Sequence, residues 1–443
     1  MIEQTLRERL ATLAREPKPA RWLVGFSGGI DSTVLLHALT RAGPGQDIPV
    51  TAVHVNHGLQ AGAARWEVHC REVASRLGVE LVVRRIAVPV GDPRGTEAAA
   101  RELRYRAFAE AARPGDYVLT AHHRDDQAET LLLNLLRGSG AAGLAGIGAR
   151  RALGAGMLLR PLLGVSRAEI EAYAAEHGLA WCDDPSNADA SFDRNYLRRE
   201  ILPALERRWP AARAKLAQSA ALQGEAAELA GDLARQDLAA LGGDPARLHL
   251  GALRRLSEAR QRNVLRHAIR RLALPPAPRA RLTQVVRELV TAAPDSRPRV
   301  GWPGAEVRRY RDRVYVQAPA ACRPEPASLT ITANDEPVAL GPGLGRLRLE
   351  QAESGGIAPA LAAAGLKIAF RRGGETLRPL HRGHTHALKK LFQEQGIVPW
   401  RRGLVPLLYA GERLVAVGDL WIAEEAWSAP GFAVRWLDRP RLE

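Results

Sequence analysis

Residues 22–37 read Trp-Leu-Val-Gly-Phe-Ser-Gly-Gly-Ile-Asp-Ser-Thr-Val-Leu-Leu-His, a short apolar run followed by a glycine pair and a helix-like stretch. The apolar residues 23–26 are typical of a strand buried in a parallel sheet. Gly28 and Gly29 let the backbone turn tightly and approach a ligand without a Cβ in the way. Residues 31–33 begin a helix, so free N–H groups and the positive end of its dipole face the loop. The stretch predicts a strand–loop–helix unit that binds an anion, most often a phosphate.

The loop differs from two common phosphate-binding signatures. A Walker A loop requires G-x-x-x-x-G-K-[ST], and this chain has no lysine between Lys18 and Lys215. The loop is not the dinucleotide signature G-x-G-x-x-G either. S-G-G-I-D-S instead resembles the PP-loop of the ATP pyrophosphatases, which split ATP into AMP and pyrophosphate to adenylate a substrate; an ordinary glycine-rich turn is the alternative. The resemblance implies that ATP is bound by Ser27, Gly28, Gly29, Ile30, Asp31 and Ser32.

Bulk composition narrows the class of protein. The chain has 443 residues, enough for two or three domains, and its 46% hydrophobic and 25% charged residues are typical of a globular protein. No apolar run is long enough for a membrane helix and the N-terminus does not resemble a signal peptide, so we expect a cytoplasmic protein. The distant cysteines Cys70, Cys182 and Cys322 disfavour a disulfide framework, a zinc site and an iron–sulfur cluster.

The net charge of +15 predicts a polyanionic partner. A general preference for arginine over lysine is evident, but it does not explain the excess of bases over acids. Nucleic acid is therefore the favoured partner.

Strand-like and helix-like segments alternate over the first 210 residues. Strands are predicted at 23–26, 50–56, 79–86 and 117–121, and helices at 61–77, 96–112 and 125–136. Such alternation predicts βαβ units and hence an α/β fold with a doubly wound parallel sheet. The PP-loop resemblance implies the adenine-nucleotide alpha-hydrolase-like version of this sheet. The carboxyl ends of its strands would meet at one crevice.

The remainder of the chain is basic. Strand signals are absent from residues 211–291, and between Arg247 and Arg287 there are eleven arginines and one acid, Glu258. This run is either a solvated helix face or a surface that contacts a phosphate backbone. After a linker at 319–326, short strand-like runs surround one helix at 385–395. We therefore expect a catalytic domain at 1–212, a helical middle domain at 213–318 and a small α+β domain at 326–443.

A second motif, H-H-R-D-D-Q-A-E-T at residues 122–130, follows the predicted strand 117–121. Asp125 and Glu129 are four residues apart, so both carboxylates should project from one face of the helix, beside the crevice. Oxygen ligands suit Mg²⁺, which neutralises the phosphates of ATP. The alternative is that Asp125 or Asp126 merely caps the helix.

The ordered set of motifs resembles the tRNA(Ile)-lysidine synthetase family. It comprises S-G-G-I-D-S, V-H-V-N-H-G-L at 53–59, H-H-R-D-D-Q-A-E-T, and the stretches at 100–105, 137–140, 160–163, 184–187, 194–198 and 389–393. The match extends from the N-terminal domain into the C-terminal one and is densest in the first 200 residues. Gln60 departs from the family, which usually has arginine after H-G-L, and this puts only a local charge contact in doubt.

The resemblance implies that ATP adenylates the carbonyl oxygen of the wobble cytidine in the isoleucine tRNA with a CAU anticodon, releasing pyrophosphate. The side-chain amine of L-lysine then attacks the same ring carbon and displaces AMP. We assign Asp31 and Asp126 to Mg²⁺ and pyrophosphate binding. Asp125, Glu129 or His57 would orient or deprotonate the lysine. His54, which alternates with apolar residues, is predicted to be an ordinary core histidine.

Both later domains are implied to bind tRNA, and the end of the catalytic domain contains further candidate contacts. Arg194, Asn195 and Arg198 suit contacts to an RNA loop; pairing with Asp184 and Asp193 inside the domain is the alternative. In the C-terminal domain the predicted contacts are Lys389, Lys390, Arg401 and Arg402.

Three other functions compete with this one. Another PP-loop tRNA-modifying enzyme, such as a thiolase, would commonly use paired cysteines, which this chain lacks. A synthetase acting on a free nucleotide or amino acid would leave the basic domains without a role. A non-catalytic RNA-binding protein would not need intact S-G-G-I-D-S and D-D-Q-A-E-T motifs. A homodimer is compatible with the sequence.

Overall fold

The computed structural model describes residues 2–13, 19–42, 48–58, 63–89, 95–183, 189, 191–293, 296, 298–319, 329–333 and 335–442. The chain divides into two compact units, residues 1–232 and 233–443. Each unit is described by itself. The matching stretch at 184–187, Gln60, Cys322 and linker residues 320–326 lie outside the described residues.

The first unit is built on a six-stranded sheet with the order β3-β2-β1-β4-β6-β5. Its strands are β1 (Arg21–Gly25), β2 (Val50–Asn56), β3 (Glu80–Arg85), β4 (Asp116–Leu119), β5 (Arg150–Leu153) and β6 (Gly156–Leu159). All neighbouring strands are parallel except β5, which runs antiparallel to β6. The strand order reverses between β1 and β4, and open α/β sheets bind ligands at such a point. The predicted doubly wound parallel sheet is confirmed, and the short β5–β6 hairpin is an addition.

The helices of the first unit are α1 (Ile2–Leu13), α2 (Ile30–Ala42), α3 (Ala63–Arg76), α4 (Thr96–Ala111), α5 (Arg124–Leu136), α6 (Ala141–Leu144), α7 (Arg167–Glu176), α8 (Asp193–Tyr196) and α9 (Leu202–Arg208). Helix α10 (Ala212–Ala240) begins in the first unit and ends in the second. A π-helical segment, Leu197–Ile201, joins α8 to α9.

Strand β1 is buried on both faces, as its continuous apolar sequence predicts. Trp22 and Val24 pack in one cluster with side chains of α1, α2 and α7. Leu23 packs in a separate cluster with Phe108 of α4 and Leu158 of β6. The loop after β1 is therefore held by two apolar layers, each fully buried side chain contributing about 2 kcal/mol.

The second unit begins with helices and a small antiparallel sheet. The helices are α11 (Leu250–Arg254), α12 (Glu258–Arg271) and α13 (Arg279–Val285), which continues as a π-helical segment, Val286–Val290. The sheet has the order β7-β10-β9-β8 and consists of β7 (Arg247–His249), β8 (Arg299–Trp302), β9 (Ala305–Tyr310) and β10 (Arg313–Gln317). The helices agree with the predicted helical domain, but β7 lies within residues 211–291, where the sequence shows no strand signal, and β8, β9 and β10 also lie in that domain. These strands are short and rich in arginine, so their apolar alternation is weak.

The rest of the second unit contains two five-stranded sheets and two helices. The strands are β11 (Leu329–Ile331), β12 (Val338–Ala339), β13 (Arg346–Ala352), β14 (Gly356–Ile357), β15 (Leu366–Phe370), β16 (Thr376–Leu377), β17 (His386–Ala387), β18 (Pro406–Ala410), β19 (Arg413–Val417), β20 (Trp421–Ile422), β21 (Trp427–Ser428) and β22 (Gly431–Leu437). The helices are α14 (Pro359–Ala364) and α15 (Leu388–Glu394). The sheets have the orders β11-β15-β18-β19-β20 and β12-β13-β22-β14-β21, and β16 and β17 form a separate two-stranded sheet. The predicted α+β character is confirmed, whereas the boundaries at 212, 318 and 326 stay predictions.

Candidate active site

The loop after β1 is closed by its own hydroxyl groups. The Ser27 and Ser32 hydroxyls lie 3.0 Å apart, and the Ser32 hydroxyl donates to the Gly29 carbonyl at 3.0 Å. The Thr33 hydroxyl and its N–H donate to the same carbonyl, each at 3.0 Å. These bonds fix the first turn of α2, whose N-terminal N–H groups have no partner within the helix. The loop conformation is therefore suited to an anion.

Gly28 is required in this loop for two reasons. Its φ is +85°, a conformation that favours glycine. A Cβ at this position would lie 2.9 Å from Cys70 Sγ and 3.0 Å from Trp66 Cδ1, both on α3. Its carbonyl accepts a bond from the Cys182 N–H at 2.9 Å. Residues distant in the sequence thus enclose the loop.

The cysteines beside the loop are poor nucleophiles. Burial raises the pKa of the Cys70 thiol to about 12, and burial also raises the pKa of Cys182. Both thiols are free. Neither thiol ionises readily near neutral pH, which disfavours the sulfur chemistry of a thiolase. His54 is buried against this cluster, with its Nδ1 2.9 Å from the Phe26 carbonyl oxygen, as predicted for a core histidine.

The acidic motif follows β4 and starts α5. Asp126 accepts a bond from the His123 backbone N–H at 2.9 Å, which caps the helix. His123 Nε2 lies 3.6 Å from Asp126 Oδ2 and 3.7 Å from Asp31 Oδ1. The two carboxylates that we assigned to Mg²⁺ therefore flank one imidazole nitrogen. Asp126 therefore caps the helix, and its assignment to Mg²⁺ stays a prediction.

The two carboxyl groups have opposite pKa shifts. Burial raises the pKa of Asp31, even though His123 and Arg167 act in the other direction. Burial also acts to raise the pKa of Asp126, but His123 and Arg194 outweigh it and hold this pKa at about 2. Asp126 is consequently ionised at neutral pH.

Two arginines bind the inner carboxylate of α5. Arg194 Nε donates to Glu129 at 2.7 Å, and Arg198 donates to it through Nε at 2.6 Å and Nη2 at 3.0 Å. Arg194 also donates to Asp126 at 3.1 Å. The Glu129 carboxylate is fully buried. The site thus contains an ion-pair cluster made from α5, α8 and the π-helical segment, which we call the Arg194–Glu129 cluster.

Asp126, three residues earlier, shares Arg194 with Glu129, whereas Asp125 contacts other partners. Arg194 and Arg198 pair with Asp126 and Glu129, while Asp193 makes its ion pair with Arg137. The predicted alternative partner Asp184 lies outside the described residues. The Asn195 side chain donates to the Asp189 carbonyl at 2.8 Å. Direct RNA contacts by Arg194, Asn195 and Arg198 stay a prediction.

Asp125 points to a different set of partners. Its carboxylate accepts bonds from Arg213 Nη1 at 3.2 Å and from the Arg167 backbone N–H at 3.4 Å. The Arg167 guanidinium donates to both oxygens of Asp31, at 3.0 and 3.1 Å. Arg167 and Arg213 are not among the residues predicted from the sequence. A signal for Arg167 existed, because a basic residue in the first turn of a helix opposes the dipole and so indicates an anionic partner.

The remaining predicted residues lie on separate elements. His57 is half-buried in the loop after β2, at the same sheet edge as the loop after β1. In the second unit, Lys389 and Lys390 are exposed on α15. Arg401 donates to Gln317 at 3.0 Å and also to the Arg441 carbonyl.

Arg402 is withdrawn from the predicted tRNA contacts. Its side chain is buried, and it donates to the Ile397 carbonyl at 2.9 Å and to the Tyr310 hydroxyl at 3.2 Å. These bonds tie the segment before β18 to β9 and leave the guanidinium away from the surface.

Asp31 at the start of α2 and Asp126 at the start of α5 suit a Mg²⁺ ion that also binds the phosphates of ATP. Within the described ranges, no three histidine, cysteine, aspartate or glutamate side chains form a metal site of their own. Mg²⁺ is commonly held by one or two carboxylates together with substrate phosphates, and Asp31 and Asp126 supply such a pair.

Across the described helices, none is both long and apolar enough to cross a membrane.

A parallel sheet with S-G-G-I-D-S at its switch point and acids across the crevice defines a PP-loop nucleotide-binding protein. Family models agree: residues 2–205 match a PP-loop domain, residues 248–315 the TilS substrate binding domain and residues 366–436 the TilS substrate C-terminal domain. The tRNA(Ile)-lysidine synthase of Alkalilimnicola ehrlichii is 44% identical over 97% of this chain and 95% of that protein. That of Pseudomonas aeruginosa is 44% identical over 93% of this chain and 92% of that protein.

The chain belongs to the tRNA(Ile)-lysidine synthase family of carbon–nitrogen ligases. Among solved structures, the U34-tRNA thiolase NcsA from Methanococcus maripaludis is a distant likeness, with a TM-score of 0.40 and 20% identity over 49% of this chain and 78% of that one.

Proposed function

We propose that this enzyme joins L-lysine to the wobble cytidine of the isoleucine tRNA with a CAU anticodon and consumes ATP, forming AMP and pyrophosphate, in the cytoplasm where these substrates occur. The observation that carries the proposal is the PP-loop facing Asp126 and the Arg194–Glu129 cluster, in a chain similar to lysidine synthases over nearly its whole length. The reaction changes both the codon that the tRNA reads and the amino acid that it accepts.

The first step makes the cytidine electrophilic. Its carbonyl oxygen attacks the α-phosphorus of ATP, the bond to the pyrophosphate oxygen breaks, and the oxygen becomes part of an AMP leaving group. The N–H groups at the start of α2 and the Ser27 hydroxyl would bind the phosphates. Asp31 and Asp126 would hold Mg²⁺, which neutralises charge on the phosphates.

The second step forms the carbon–nitrogen bond. The lysine side-chain amine, after losing a proton, attacks the adenylated ring carbon, and AMP leaves with the bonding electrons of the carbon–oxygen bond. Asp125 and His57 stay candidates for orienting or deprotonating this amine. Glu129 is better suited to positioning, because it is buried and already accepts three guanidinium N–H bonds.

Transfer of labelled lysine tests the function. With ATP and Mg²⁺, the enzyme should attach L-lysine to a transcript with a CAU anticodon and not to one whose wobble cytidine is replaced by uridine. Asp126→Asn should lower turnover by about a hundredfold at saturating Mg²⁺, since it removes charge at the phosphates. Lysine transfer to neither transcript would refute the function, and near-normal turnover of Asp126→Asn would refute only the Mg²⁺ assignment.

A further inference from the structure

The first residue of α7, Arg167, contacts the loop after β1. Its Nη1 donates to both carboxylate oxygens of Asp31, at 3.0 and 3.1 Å, and its Nε donates to Glu171 at 2.8 Å. Its Nη2 makes no hydrogen bond with the part of the chain that the structure describes. The guanidinium is therefore anchored to its own helix through Nε, while N–H groups of Nη2 stay available beside the loop.

Helix α7 does not need this arginine for its own stability. Ser166 and Glu169 already cap the helix: the Ser166 hydroxyl accepts the Glu169 N–H at 3.2 Å, and the Glu169 carboxylate accepts the Ser166 N–H at 2.7 Å. The positive end of the helix dipole lies at the same place, so a cation in the first turn is electrostatically unfavourable. What favours Arg167 here is an anion outside the helix.

The pair of Arg167 with Asp31 is the most exposed of the ion pairs at the candidate active site. The pairs are Asp31–Arg167, Asp125–Arg213, Asp126–Arg194 and Glu129–Arg198. The Arg167 and Asp31 side chains are 35% and 32% exposed, whereas the carboxylates of the other three pairs are at most 13% exposed. An exposed ion pair contributes little to stability, but a buried carboxylate that loses its partner is strongly unfavourable. Arg167 is thus the arginine of the site that can change its partner most easily.

Binding of Mg²⁺ and ATP would change the charge around Asp31. Asp31 is our proposed Mg²⁺ ligand, and a divalent cation on this carboxylate would repel the guanidinium that now shares it. The phosphates of ATP carry the negative charge that balances both cations. Asp31 belongs to the loop that is proposed to bind these phosphates, so a guanidinium 3.0 Å from Asp31 lies beside them.

We propose that Arg167 changes partners when ATP binds: it releases Asp31 and donates to the pyrophosphate portion of ATP. This inference rests on the proposed function. Guanidinium groups bind phosphate oxygens through paired, charge-assisted hydrogen bonds, and Nη1 and Nη2 can form such a pair while Nε stays on Glu171. The pyrophosphate oxygen gains negative charge as its bond to the α-phosphorus breaks, so Arg167 would stabilise the leaving group of the adenylation step.

The test is equilibrium binding of inorganic pyrophosphate, with Mg²⁺ present, to the full chain. Arg167→Gln should weaken this binding about tenfold, because charge-assisted hydrogen bonds are lost, and it should leave the affinity for AMP unchanged. Arg167→Lys keeps the charge without the paired geometry, so it should recover part of the loss. The matched control Arg76→Gln removes an exposed arginine from α3 and should bind pyrophosphate normally.

Asp31→Asn separates phosphate binding from a role in merely positioning Asp31. In the presence of a chelator, which removes Mg²⁺, this substitution frees Arg167 from its present partner. The affinity for pyrophosphate should then rise about threefold, which corresponds to the strength of an exposed ion pair. The double variant Asp31→Asn/Arg167→Gln should lose this gain. If Arg167 only positions Asp31, the double variant should bind pyrophosphate as well as Asp31→Asn does.

Three results would overturn the inference: unchanged pyrophosphate affinity in Arg167→Gln, an equal loss of affinity for AMP, or equal affinities in Asp31→Asn and the double variant. Thermal unfolding of each variant shows whether a loss of binding comes from a loss of fold. Pyrophosphate binding needs neither tRNA nor lysine, so these results are separate from a failure of lysine transfer, which would refute the function itself.

Discussion

At the scale of single residues, Asp126 and Glu129 are separated by one turn of α5 and have different surroundings. Asp126 faces His123 and the loop after β1, whereas Glu129 is fully buried under two guanidinium groups. The sequence could predict that this motif is acidic and lies at the crevice. It could not predict which acid pairs with Arg194, because that contact joins residues 65 positions apart.

Glu129→Gln tests the positioning role at this scale. The substitution keeps the side-chain shape but leaves Arg194 and Arg198 without their main counter-ion, so kcat should fall about tenfold or more and Tm should decrease. The pH profile of kcat should keep its shape, because no titrating base has been removed. Loss of one limb of that profile would instead identify Glu129 as the base.

At the scale of elements, the strand–loop–helix unit around the PP-loop agrees closely with prediction. The strand, the glycine turn and the start of α2 each depend on residues that are adjacent in the sequence. They can therefore be predicted from the sequence. The enclosure of Gly28 by Trp66, Cys70 and Cys182 is set by tertiary packing, so no local pattern could indicate it.

Gly28→Ala measures that enclosure. It should destabilise the protein by about 3 kcal/mol, because the positive φ and the close contacts with α3 both oppose a Cβ. Gly78→Ala is the matched control, since Gly78 has a φ of +65° and no atom lies within 4 Å of the position that its Cβ would occupy. This control should cost about 1 kcal/mol. Urea unfolding compares the two; equal costs would show that contacts with Trp66 and Cys70 do not matter.

At the scale of the whole molecule, the chain is strongly basic, whereas the candidate active site in the first unit contains several acids. The net charge of +15 indicated a nucleic-acid partner, but it could not separate surface arginines from structural ones. Arg402 illustrates this, because its burial against Tyr310 depends on how β9 and the segment before β18 pack within the second unit. Lys389 and Lys390, by contrast, are exposed and stay predicted tRNA contacts.

Lys389→Ala/Lys390→Ala should weaken binding of the full tRNA and decrease the salt slope by about 1.8, because two phosphate contacts on a duplex would be lost. Lys367→Ala/Arg413→Ala removes two exposed charges elsewhere in the same unit and serves as the control. Filter binding across a range of salt concentrations measures both slopes. Equal slopes in the two variants would remove α15 from the tRNA-binding surface.

The proposed function requires an adenylated cytidine as intermediate, and a pulse–chase with ATP labelled at the α-phosphate detects it. Without lysine, the label should attach to tRNA with a CAU anticodon, and adding L-lysine should release it as AMP while lysine joins the RNA. Label attached to lysine in place of tRNA, or AMP formed without any labelled tRNA, would contradict the account.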